Sequence, residues 1–180
     1  MEIIETKIKG LLIVKPKVFA DARGYFFESY NADVFKQNGI DVNFVQDNQS
    51  LSNAGVLRGL HFQAPPFAQG KLVRVINGAV LDIAVDIRKN SPTYGQHVSI
   101  ELTEENKTMF YIPPGFAHGF LTLKDNTIFS YKCTNVYHKA SEGTVLWNDS
   151  NLNIDWNIAS PVLSEKDLVG TPFKDFSSPF

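Results

Sequence analysis

The chain is poor in the features that mark several large classes of protein. Cysteine occurs once in 180 residues, at Cys133. No disulfide can form within the chain, which favours a reducing compartment. No apolar run approaches the ~20 residues that cross a bilayer. The opening MEIIETKIKGLLIVKP is broken by Lys7, Lys9 and Lys15 and lacks the order of a secretory signal. The expectation is a soluble, cytoplasmic protein without membrane association. An excess of one charge is also missing: the formal net charge is -2, with no basic tail. That argues against a general nucleic-acid or membrane-surface binder and leaves room only for a local basic pocket. No internal repeat stands out. Helical patterns do not alternate with strands, so no doubly wound parallel sheet is suggested. The length suits one domain spanning residues 1–180.

What the chain does have is hydrophobic and aromatic material, 43% of residues being hydrophobic and 14 of them Phe. In KLVRVINGAVLDIAVDI, Lys71 to Ile87, two alternating runs flank Asn77-Gly78, which reads as a tight hairpin. Leu72, Val75, Val80, Ile83 and Val85 are the expected core residues of that pair. Further strands fit 11–16, 24–30, 44–50, 97–102, 108–112, 119–123 and 127–134. A short helix fits 31–38, with Asn31 as cap and Gly39 as stop, and a second begins after Ser164. Many short antiparallel strands with few short helices predict an all-β sandwich or barrel.

Chemistry concentrates in two segments. VLRGLHFQ, Val56 to Gln63, carries Arg58 and His61, which a straight strand would point to opposite faces. Gly59 offers a bulge that re-aims one of them; alternatively Arg58 lies in the loop before the strand. IPPGFAHGF, Ile112 to Phe120, is a rigid turn delivering His118 to the next strand. Two histidines flanked by glycine and aromatics suggest a shared pocket. Lys71, opening a strand after APPFAQG, is either an exposed strand end or an inward cation that needs a ligand. A metal centre is disfavoured, because Gln63 stands where a His-x-His pair would supply its second ligand.

The motifs PKVFADARGYFFESY, FVQDNQS, VLRGLHFQ, QGKLVRV, GAVLDIAVDIRKNSPTYGQ, IPPGFAHGF and EGTVLWND, with the closing IDW and PVLSEKD, resemble the dTDP-4-dehydrorhamnose 3,5-epimerase family nearly end to end. The resemblance implies a cupin-type jelly roll without metal or other cofactor. It implies a dTDP-linked 4-keto-6-deoxy sugar as substrate, and a place in dTDP-rhamnose biosynthesis, which feeds surface polysaccharide. Epimerisation beside a ketone needs a base, a group to hold the enolate oxygen, and an acid on the opposite face. The resemblance assigns the base to His61, its orienting carboxylate to Asp167, the enolate-stabilising cation to Lys71 and the acid to Tyr131. By pattern alone, Asp167 reads equally as the acid of a capping box begun by Ser164. Arg23 and Arg58 match diphosphate ligands. Glu28, Gln46, Asp47, Asn48, His118 and Glu142 match contacts to nucleotide and sugar, Lys71 serving there as well. Members of the family pair as homodimers through N-terminal strands. Other readings remain open at this point: an epimerase acting at one carbon only or on another nucleotide-linked 4-keto sugar, a non-catalytic cupin that binds a sugar nucleotide, and a metal-dependent cupin oxygenase, against which Gln63 argues.

Overall fold

The computed structural model describes residues 1–180. Its strands, in chain order, are β1 (Glu2–Glu5), β2 (Leu12–Lys15), β3 (Phe19–Asp21), β4 (Gly24–Phe26), β5 (Gln46–Ser52), β6 (Leu57–Gln63), β7 (Lys71–Asn77), β8 (Ala79–Asp86), β9 (His97–Thr103), β10 (Met109–Ile112), β11 (Phe116–Thr122), β12 (Thr127–Cys133) and β13 (Glu142–Thr144). The α-helices are short: α1 (Ala32–Gln37) and α2 (Glu165–Leu168). Two antiparallel sheets face each other. One has the order β1-β2-β10-β7-β12-β5 and the other β13-β6-β11-β8-β9. This is the all-β jelly roll expected from the sequence.

Alternation decides what lies between the sheets. Val73 and Val75 of β7, Phe110 and Ile112 of β10, and Phe129 of β12 meet Val80 and Ala84 of β8 and Phe116 and Phe120 of β11. The intervening residues point outward but are also covered. Leu72, Met109 and Tyr111 lie under Phe35 and Ile40, beside α1. Ile83, Val85, Ala117 and Leu121 lie under the C-terminal segment, which contributes Leu152, Trp156, Phe173, Phe176 and Phe180. Cover on both faces explains why every residue of β11 is buried, the polar His118 and Thr122 included. At roughly 1.5–3 kcal/mol per buried large apolar side chain, these layers dominate stability.

The Asn77-Gly78 expectation needs correction. β7 and β8 do not pair: β7 hydrogen-bonds to β10 and β12, and β8 to β9 and β11. Gly78 is a corner at which the chain passes from one sheet to the other. Its φ of +87° is the left-handed conformation that glycine adopts readily. A Cβ there would collide with Thr127. The five core residues named from this segment are all buried, but in different layers: Leu72 outside the six-stranded sheet, Val75 and Val80 between the sheets, Ile83 and Val85 under the C-terminal segment.

The helix expectations held. The Asn31 side chain accepts from the Val34 N–H, and Ser164 and Asp167 form a capping box. The strand expected over 24–30 stops at Phe26, where β4 pairs only with β3 in a separate two-stranded hairpin.

Candidate active site

Between the sheets, towards one end, the apolar filling gives way to a cavity of about 520 Å³. Its walls follow from strand parity. Along β5, Gln46, Asn48 and Ser50 are half-buried while Asp47, Gln49 and Leu51 are exposed. β7 contributes Lys71, β12 contributes Phe129 and Tyr131, and β11 contributes His118 and Phe120. Arg58, His61 and Gln63 come from β6, and Glu142, Ser164, Lys166 and Asp167 form one side.

The parity conflict between Arg58 and His61 is resolved at Gly59. His118 pairs with His61 and Phe120 with Arg58, so Gly59 and Leu60 together oppose the single Gly119. This is a bulge, and it turns both side chains into the cavity. The crossing is tight: a Cβ on Gly59 would sit 2.5 Å from Gly119 Cα.

His61 Nε2 lies 2.7 Å from Asp167 Oδ1, which also accepts from the Gly59 N–H at 3.2 Å. Oδ2 accepts the Ser164 hydroxyl at 2.6 Å. The contact to His61 and the capping box are thus both present, one at each oxygen of Asp167. Burial works to raise the Asp167 pKa, but His61, Ser164 and the Gly59 N–H together hold it down to about 2. Burial lowers the His61 pKa below its usual value, against the pull of Asp167. His61 is thus neutral near pH 7, with its Nε2 proton donated to Asp167, and its remaining ring nitrogen carries a lone pair.

On the facing sheet, the Lys71 ammonium lies 5.9 Å from the centroid of the Tyr131 ring. Burial depresses the Lys71 pKa, while Cys133, Asp82 and Glu142 favour its charge. Burial raises the Tyr131 pKa, so the phenol keeps its proton at neutral pH. The cavity therefore presents a neutral imidazole on one wall, a protonated phenol on the other, and the Lys71 amine beside the phenol.

Arg58 reaches Ser52 Oγ at 3.2 Å, and His118 Nε2 lies 2.9 and 3.0 Å from the two oxygens of fully buried Asp82. Glu142 bonds to Lys166 and accepts from the Tyr137 hydroxyl at 3.2 Å. Gln63 spends its amide on backbone: Nε2 donates to the Phe67 and Val136 carbonyls and Oε1 accepts from the His138 N–H. No three His, Cys, Asp or Glu side chains cluster as a metal site would require.

The structure thus brings together His61, Lys71, Tyr131, Asp167, Gln46, Asn48, Arg58, His118 and Glu142. It places three expected residues elsewhere. Asp47 is turned outward by strand alternation and pairs with Lys132 at 2.9 Å. Arg23 sits at the turn of the β3–β4 hairpin, paired with Asp21 and 90% exposed. Glu28 follows that hairpin and accepts from Asn31. Sequence reasoning missed Lys166, Ser164 and Asp82. The first two adjoin Asp167 in a segment read only for its carboxylate. Asp82, an acid amid the apolar residues of β8, carried a visible signal.

The sequence profile of the dTDP-4-dehydrorhamnose 3,5-epimerase family matches residues 5–175. A dTDP-4-dehydrorhamnose 3,5-epimerase of Shigella flexneri is 53% identical over 176 residues, covering 97% of each chain. The crystal structure of dTDP-6-deoxy-D-glucose-3,5-epimerase from Legionella pneumophila, in complex with dTDP-4-keto-L-rhamnose, superposes with a TM-score of 0.93 at 48% identity, over 96% of this chain and 93% of that one. A 3'-monoepimerase from Streptomyces bikiniensis, in complex with dTDP-quinovose, has a TM-score of 0.90 at 32% identity, over 94% and 87%. With profile, sequence and fold agreeing over nearly the whole length, the chain belongs to the dTDP-4-dehydrorhamnose 3,5-epimerase family and is an isomerase.

Proposed function

We propose that this enzyme converts dTDP-4-dehydro-6-deoxy-D-glucose to dTDP-4-dehydro-L-rhamnose by inverting C3 and C5, with His61 as base, Tyr131 as acid and Lys71 as the cation at O4. The observation that carries the reading is the opposition of His61 and Tyr131 on facing sheets, with Lys71 beside the phenol. The C4 ketone acidifies the neighbouring C–H bonds. His61 takes the proton, and the electron pair of the C–H bond moves onto O4 as an enolate. The Lys71 ammonium stabilises that charge as it develops, so its contribution appears mainly in the transition state. The enolate then collapses, and carbon takes a proton from Tyr131 on the opposite face. The electrons stay within the substrate, and no redox cofactor is needed. Asp167 stabilises the imidazolium formed by the abstraction. Arg58 and Lys166 supply positive charge suited to the diphosphate.

The test is incubation with the 4-keto substrate in deuterated water, read by NMR. Label at both C3 and C5 is expected. Label at C3 alone would favour the reading as a single-carbon epimerase, which the Streptomyces neighbour keeps in view. His61→Ala should lower exchange by about 10²–10⁴-fold, the usual contribution of a positioned base. Normal exchange in that variant removes the assignment.

The same reading makes the enzyme a homodimer that works in the cytoplasm. Arg23 and Glu28 lie outside the cavity of their own chain, Arg23 on and Glu28 just after a hairpin whose Phe19, Tyr25 and Phe26 are 54%, 57% and 66% exposed. Exposed aromatics beside a phosphate-seeking guanidinium fit insertion into the cavity of a second copy.

A further inference from the structure

Four hydrogen-bond donors converge on the carboxylate of Asp167, and only one belongs to the base. Oδ1 accepts from His61 and from the Gly59 N–H. Oδ2 accepts from the Ser164 hydroxyl at 2.6 Å and the Ser164 N–H at 3.4 Å. The helix that carries Asp167 has only four residues and contributes little rigidity of its own. What fixes the carboxylate plane is the grip on its two oxygens from opposite sides, by β6 through Gly59 and by the cap through Ser164. The Ser164 side chain also lines the cavity.

We propose that Ser164 is a positioning residue for the epimerisation: its hydroxyl holds Asp167 Oδ2 so that Oδ1 stays aimed at His61, making the cap of α2 part of the proton-transfer apparatus. The inference rests on His61 being the base. Its physical content goes beyond helix capping. A carboxylate that already accepts a short bond from a hydroxyl is a weaker acceptor for its next partner. The hydroxyl therefore both orients Asp167 and tempers its pull on the imidazole, leaving His61 neutral and available as a base.

Glycine separates this from a structural cap, because it serves at the N-cap almost as well as serine but has no hydroxyl. Ser164→Gly should lower kcat by about 10–100-fold, as loss of a partner that orients a reacting ligand does, with KM little changed. Ser164→Thr restores the hydroxyl and should restore kcat. The second readout is the His61 titration, followed by NMR of the labelled imidazole. The charged and titratable groups that face this ring are Asp167 and Lys166 on α2, Lys71 on β7, Glu142 on β13 and the cross-strand partner His118 on β11. None of them changes in the variant. With Asp167 less occupied, the midpoint should rise in Ser164→Gly and return in Ser164→Thr. Wild-type kcat in Ser164→Gly, or a midpoint that does not rise, overturns the proposal and leaves Ser164 as a cap. The His61→Ala exchange experiment separates the two levels: exchange surviving there removes the base assignment itself, whereas its loss beside a normal Ser164→Gly enzyme removes only this inference.

Discussion

At the scale of the residue, the cavity works by setting burial against charge, and the outcome differs from group to group. For His61, burial outweighs the carboxylate beside it, and the pKa falls below 6.5. For Asp167 the donors outweigh burial, and the carboxyl titrates at about 2. Lys71 has no carboxylate within ion-pair distance, and burial brings its pKa below 10.5. These directions fix the pH dependence of the reaction. The base form of His61 is lost as pH falls through its depressed pKa, so kcat/KM should fall on an acid limb below 6.5. The charged form of Lys71 is lost as pH rises through its own depressed pKa, which sets the alkaline limb. Tyr131 titrates higher than an ordinary phenol and stays protonated across the plateau. Lys71→Met should reduce kcat/KM by about 10²–10³-fold, the usual effect of removing an oxyanion-stabilising group. It should also move the alkaline limb up towards Tyr131. A pH–rate profile of both proteins checks this. An unchanged alkaline limb in the variant would assign that limb to another group.

At the scale of the element, the bulge in β6 does the work that regular pleating cannot. Without it Arg58 and His61 would face opposite sides of the sheet. The bulge depends on two glycines meeting across β6 and β11. A Cβ on Gly119 would lie 2.7 Å from the Arg58 carbonyl oxygen and 3.0 Å from Gly59 Cα. Backbone cannot yield there without separating the strands. Gly119→Ala should therefore cost about 1–3 kcal/mol in stability, as overpacking does. It should also lower epimerase activity in the fraction that remains folded, because the displaced strand carries His61. Urea unfolding and the exchange assay together test this, and wild-type values in both would show that the crossing can relax. Here the sequence was informative: Gly59, between Arg58 and His61, already posed the parity problem and offered a bulge as one of its two solutions, the other being Arg58 in a preceding loop, which β6 excludes. Elsewhere the same local signals misled. Asn77-Gly78 has the chemistry of a hairpin turn, yet turn chemistry reports local backbone freedom and not which strands pair. Sheet partners are chosen by burial over distances the local pattern does not contain. Asp47 fell with Gln46 and Asn48 in one motif, but a run of adjacent residues cannot share one face of a strand. Lys166 and Ser164 stayed hidden because their role depends on α2 folding against β6, a contact over about a hundred positions of chain.

At the scale of the whole molecule, the element that stands apart is the β3–β4 hairpin. Arg58, Lys71 and Lys166 line the cavity, whereas Arg23 stands at an exposed turn and pairs with its near neighbour Asp21. The Lys107 ammonium lies 3.9 Å from the ring of Tyr25 and Arg74 5.8 Å from that of Phe27, so the hairpin rests against the body of the chain without reaching the cavity. If two copies exchange these hairpins, each active site draws its base from one chain and Arg23 from the other. That arrangement makes a prediction no single variant can make. Arg23→Ala and His61→Ala homodimers should each be weakly active. When they are dissociated, mixed and reassociated, half the dimers are mixed. In a mixed dimer one site carries both substitutions and the other carries neither. Random exchange of equal amounts should therefore restore roughly a quarter of wild-type activity, since a closed two-fold dimer has two equivalent sites. A hairpin serving the cavity of its own chain gives no recovery, because every site then keeps one of the two substitutions however the chains are paired.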